Sequence, residues 1–148
     1  MQKQVKQTWH FKQPPQEVWE YLTKAELIEQ WLMKNDFRPI VGHKFKFRHA
    51  PSSSISENEK IHYCEVLEIV PLQKLSYAWK VGKGNSEITI DSIVLWTLSE
   101  KDGGTALNLL HNGFTLLEDV IAHNKGWTTL GSRFVELLNA IQNDNTRI

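Results

Sequence analysis

The 148-residue sequence predicts an α+β domain: a curved antiparallel sheet of about six strands, two short helices after the first strand, and a long C-terminal helix across the concave face. Three observations predict it. Between Phe37 and Thr115 apolar and polar residues alternate at period two, and clusters of Gly, Pro, Asn and Asp cut the stretch into strand lengths. From Thr115 the period becomes helical and stays so up to the polar tail "NDNTRI". Between the opening strand and the sheet, prolines and a second helix-start signal divide a helical pattern in two.

The opening "QVKQTWHF" sets Val5, Trp9 and Phe11 on one side of an extended segment and Lys6, Thr8 and His10 on the other, as a half-buried strand requires. In "PPQEVWEYL" the prolines suit a first helical turn, and Val18, Trp19 and Leu22 follow at helical spacing. Thr23 and Glu26 have capping-box spacing and predict a restarted helix carrying Leu27, Ile28, Trp31 and Leu32. "HKFKFRH" alternates Phe45 and Phe47 with lysines, and "PSSSISENE" is a polar loop. "IHYCEVLEIV" runs to Pro71, and "KLSYAWKV" places Leu75, Tyr77 and Trp79 on one face. "VGKGNSE" and "EKDGG" read as hairpin turns around strands that align Val94, Trp96 and Leu98, and then Leu107, Leu109 and His111. Residues 1–148 form one domain without internal repeats.

Thr115 and Glu118 again have capping-box spacing, opening a helix of about 26 residues, or roughly 39 Å. Its stripe of Val120, Trp127, Leu130, Phe134, Leu137, Leu138 and Ile141 must be buried, and the sheet is the only partner long enough. Because a twisted sheet curls, a straight helix across it leaves a hollow. Gly131 lies in the stripe and Gly126 at its margin; their missing side chains permit either close approach of the helix to the sheet or empty volume beside it.

Composition excludes several function classes. Seventeen basic and seventeen acidic residues cancel, which disfavours nucleic acid or an anionic membrane as partner. A single cysteine, Cys64, forms no internal disulfide, and "MQKQVKQTWHF" lacks the apolar core of a signal peptide, so a cytoplasmic location is expected. No apolar run approaches the roughly 20 residues that cross a bilayer, so no membrane insertion is expected.

The six histidines form neither H-E-x-x-H nor a zinc-spaced set with Cys64, so no metal and no cofactor is expected. No G-x-S-x-G elbow is present, "KVGKGN" lacks the P-loop frame, and no catalytic residue is assigned. His111 shares its face with Leu107 and Leu109. It reads either as a neutral core histidine with one hydrogen bond, the commoner state, or as a group orienting a ligand. Trp79, Trp96, Trp127, Phe134 and Tyr77 converge on the gap between sheet and helix; core packing alone would explain most of them singly, but together they suit an apolar ligand site. Trp31, Phe47, Leu109, His111, Leu130 and Gly131 complete the candidate ligand-binding set.

The stretches "PPQEVWEYLTKAELIEQWL", "DFRPIVGHKFKF", "EIVPLQKLSYAWK", "GGTALNLLHNGF" and "GWTTLGSRFVELL" stand in the order found in a known group of proteins. Through them the chain resembles the START-like, or birch-pollen-allergen-like, superfamily (also called SRPBCC), in the branch related to the C-terminal domain of the activator of the heat-shock-protein-90 ATPase. The resemblance implies a helix-grip fold with a cavity between sheet and helix. It leaves function open, since relatives bind lipids, sterols, polyketides or flavonoids, some act on them as enzymes, and others assist a chaperone.

The expected function is therefore binding of a small hydrophobic molecule in that cavity by a monomer or homodimer. A protein-interaction module with a chaperone as partner is the alternative. A cyclase-like or hydrolase-like enzyme using His111 or Tyr77 is the third reading.

Overall fold

The computed structural model describes residues 3–48, 61–82 and 88–145. Seven antiparallel strands form one sheet, β1 (Gln4–Phe11), β2 (Lys34–Asn35), β3 (Lys44–Arg48), β4 (Ile61–Val70), β5 (Lys74–Gly82), β6 (Ile88–Lys101) and β7 (Gly104–Asn112), in the spatial order β1-β7-β6-β5-β4-β3-β2. The helices are α1 (Pro15–Thr23), α2 (Ala25–Ile28) and α3 (Leu117–Asn145). One strand more than the expected six is present, because the two-residue β2 pairs Lys34 with Arg48 and Asn35 with Phe47. Two residues carry no readable alternation. The loop "PSSSISENE" and the centre of the hairpin "VGKGNSE" lie outside the described residues.

Local chemistry accounts for the elements. Pro14 caps α1 and Pro15 opens it, and the helix buries Val18, Tyr21 and Leu22. Neither capping box forms. The Thr23 hydroxyl donates back to the Trp19 carbonyl at 2.8 Å, and Lys24 stands between α1 and α2 in extended conformation. α2 closes after one turn, with Trp31 and Leu32 carried on by turn bonds to the Ile28 carbonyl. α3 begins at Leu117, two residues past Thr115, and its 29 residues run three into the expected polar tail. In the β6–β7 hairpin Asp102 and Gly103 both have positive φ, 51° and 81°, the pattern of a type I′ turn. A bulge at Leu67 in β4 adds to the twist that curves the sheet.

The concave face carries the core. Phe45, Phe47, Val66, Leu75, Tyr77, Trp79, Val94, Trp96, Leu107 and Leu109 are all buried there, as alternation predicts. α3 lies closest to β1. At Gly131 the Trp9 indole packs directly on the helix backbone, where any Cβ would overlap it. Over the two turns before it, the Gln7 side-chain NH2 is shared among the Asn124 carbonyl, the Asn124 side chain and the Thr128 hydroxyl. Held against one edge of the sheet, the straight helix stands away from β4 to β6.

Side chains fill half of that gap. Trp31 stacks on Phe134 with centroids 4.4 Å apart and meets the edge of Trp96 at 6.0 Å, while Phe11 approaches Phe134 at 4.7 Å. The Trp31 indole N–H is satisfied by the Tyr21 carbonyl at 2.9 Å. Toward the N-terminal half of α3 the filling stops.

Candidate ligand cavity

A cavity of about 250 Å³ remains between the N-terminal half of α3 and the ends of β4 to β6. β4 contributes His62, β5 contributes Trp79 and Val81, β6 contributes Ile90, and Met33 enters from the segment after α2. From α3 come Asp119, Ala122, His123, Gly126, Trp127 and Leu130, at spacings of three and four that place them on one helical face. Nothing lies within 4 Å of where a Gly126 Cβ would be, so this glycine leaves volume whereas Gly131 permits contact. A second hollow, of about 440 Å³, lies on the convex face, where Leu95 and Leu110 stand beside Lys6, Thr8, Thr97 and Asn108 and no aromatic side chain enters the wall.

Behind the cavity a directed chain of hydrogen bonds fixes the aromatic walls. The Trp127 indole N–H donates to His111 Nδ1 at 3.0 Å. The Ser92 hydroxyl donates to the Trp79 carbonyl at 2.8 Å and so must accept from His111 Nε2, also 2.8 Å away. His111 is therefore the neutral Nε2–H tautomer. Burial, followed by the neighbouring His123 and His62, lowers its pKa from 6.5 to about 2. The Trp79 indole N–H donates to His123 Nε2 at 3.3 Å, and His123 Nδ1 then donates to the Asp119 carbonyl at 2.8 Å. The two tryptophans are pinned 5.3 Å apart by two histidines in opposite tautomers.

Of the candidate residues read from the sequence, Trp79, Trp127 and Leu130 line the cavity. Phe47 packs behind Trp79, with centroids 5.5 Å apart. Trp31, Trp96 and Phe134 form the packed cluster in the other half of the gap, with Leu109 buried beside Trp96 on β7. Tyr77 is buried and accepts the Trp96 indole N–H at 2.9 Å; burial raises its pKa. Gly131 sits under Trp9, and His111 is one layer behind the wall, with both ring nitrogens engaged. Met33, His62, Val81, Ile90, Asp119, Ala122 and His123 are in the wall although the sequence pattern does not single them out, and Gly126 stands in it from the margin of the helical stripe. His123 and Asp119 are legible as the residues four and eight before Trp127 on its helical face.

Among the described residues no three metal-ligating side chains cluster. The Cys64 thiol is buried, and burial followed by Asp36 pushes its pKa up, which removes it as a nucleophile at neutral pH. Among the described residues no helix is long and apolar enough to cross a membrane.

An antiparallel sheet curved around a long C-terminal helix defines the helix-grip, or START-like, class. The chain belongs to the family of activator of Hsp90 ATPase homolog 1-like proteins, whose pattern it matches over residues 2–139. Among solved structures, protein MLL2253 from Mesorhizobium loti is similar, with 31% identity and a TM-score of 0.79 over 93% of this chain and 97% of that one. The AHSA1 protein from Silicibacter pomeroyi shares the fold at 15% identity and a TM-score of 0.81, covering 93% and 98% of the two chains. CalU16 from Micromonospora echinospora does so at 21% identity and a TM-score of 0.69, covering 91% and 73%. No curated protein matches the sequence.

Proposed function

We propose that this chain binds a small apolar molecule of one or two rings in the cavity between α3 and β4 to β6. The observation that supports it is the wall itself: Met33, Trp79, Val81, Ile90, Trp127 and Leu130 surround about 250 Å³ that no side chain fills. An engineered apolar cavity of about 150 Å³ takes up benzene, and typical ligand pockets begin near 300 Å³. The space therefore suits a one- or two-ring body better than a whole sterol or lipid. Removing such a body from water contributes about 25 cal/mol per Å² and requires no catalytic group.

The test is a panel of one- and two-ring compounds scored by thermal stabilisation and by the indole N–H resonances of Trp79 and Trp127. At least one compound should raise the melting temperature and shift those two resonances first. A panel that moves neither overturns the reading.

Membership in the activator family supports a second reading, in which the chain docks on a chaperone. A pull-down with the middle domain of the heat-shock-protein-90 chaperone separates the two, since a ligand-binding role requires no such capture.

A further inference from the structure

We propose that the cavity selects amines: its ligand carries an ammonium group on the apolar body, and Asp119 is the residue that reads it. The inference rests on the ligand-binding reading above and on what the wall has left to offer. The N–H donors of Trp79, Trp127 and His123 are all consumed by acceptors within the protein, at 3.3, 3.0 and 2.8 Å. The His62 ring packs on Trp79, with centroids 4.5 Å apart. A ligand carbonyl or carboxylate would thus meet, at Trp79, Trp127 and His123, rings whose N–H groups are already given away, and would lose its hydration there without replacement.

The wall also carries a charged acceptor. Asp119 is the only residue with a carboxylate in the wall, and no lysine or arginine stands there among the described residues. It lies four and eight residues before His123 and Trp127, so its Cβ leaves α3 on the cavity side. It is half-buried, and no ion pair holds its carboxylate among the described residues. Trp79 and Trp127, with ring centroids 5.3 Å apart, supply electron-rich aromatic rings to the same wall. Lys125 and Arg133 are exposed in the neighbouring groove around α3, which shares Met33, Gly126 and Leu130 with the cavity; these are the groups an anionic ligand would have to reach.

A matched series on one skeleton tests this: 1-naphthylmethylamine, 1-naphthylmethanol and 1-naphthoate, titrated at pH 7 while the Trp79 and Trp127 indole N–H resonances are followed. The amine should bind at least tenfold more tightly than the carboxylate, with the alcohol between. In Asp119→Asn the amine's advantage should fall to within about threefold, while affinity for the alcohol stays unchanged. Equal or tighter binding of the carboxylate overturns the proposal, the more so if Arg133→Gln abolishes it, and so does an amine preference that survives Asp119→Asn. If all three bind alike, selection by charge fails and the apolar-ligand reading stands; if none moves the two indoles, both fail.

Discussion

Trp127 donates its indole N–H to Nδ1 of His111 across 3.0 Å, and that bond fixes the state of a histidine with no exposed surface. With Nδ1 accepting, the ring proton sits on Nε2 and goes to Ser92. Neither nitrogen can take a further proton without breaking a buried bond.

Acid stability follows from this. The His111 pKa is about 2 in the folded chain against an ordinary value of 6.5 once unfolded, so below pH 6.5 the unfolded chain takes up a proton that the folded chain refuses. The group therefore withdraws stability as pH falls from 6.5 toward 2, at up to about 1.4 kcal/mol per pH unit. Urea unfolding of the wild type and of His111→Gln at pH 7 and pH 4.5 should show the wild type losing about 2–3 kcal/mol more than the variant over that interval. Parallel losses would contradict a histidine held neutral. At pH 7 the variant should itself be weaker by about 1–3 kcal/mol, because buried partners lose their bonds.

The two helical glycines should respond in opposite directions. Gly126→Ala adds a methyl that meets nothing within 4 Å and removes the helix penalty of glycine, so stability should rise by about 0.5–1 kcal/mol. Gly131→Ala drives a Cβ into the Trp9 indole and should cost about 1–3 kcal/mol. Melting temperatures of the two variants check this; a shift of the same sign in both would remove the distinction between a thin helix for contact and one for volume.

Trp31→Ala should be among the most damaging core changes. It removes a ring stacked on Phe134 and edge-on to Trp96, and leaves the Tyr21 carbonyl without its donor. A loss of about 3–5 kcal/mol in urea unfolding is expected. A loss below about 1 kcal/mol would show that this half of the gap is not packed as described.

Cys64 should be silent toward thiol reagents in the native protein. It is buried on β4, paired with Phe45 on one side and Trp79 on the other, and its pKa is raised well above the usual thiol range. Aromatic disulfide reagents should titrate one thiol in denaturant and essentially none without it. Rapid native labelling would contradict the burial.

Alternation and helical spacing make most of this architecture readable. Phe45 and Phe47, Tyr77 and Trp79, and Leu107 and Leu109 point inward because a strand has only two faces. The Thr23–Glu26 capping box misleads because Thr23 is the last residue of α1, with its hydroxyl donating back to the Trp19 carbonyl, a placement that spacing does not reveal. Gln7 breaks the apolar alternation of β1, yet its amide ties that strand to α3. Within the site, the aromatic residues are alike in sequence; whether a ring fills the gap, as Trp96 does, or bounds it, as Trp79 does, depends on where α3 crosses the sheet. The same crossing decides the roles of Gly126 and Gly131, five residues apart on one helix.

The most direct test is diffraction from crystals soaked with the compound that most stabilises the chain. Ordered density should appear between Trp79 and Trp127, bordered by Val81, Ile90 and the bare backbone at Gly126. Density on the convex face alone, or a cavity closed by shifted side chains with the ligand elsewhere, would contradict it.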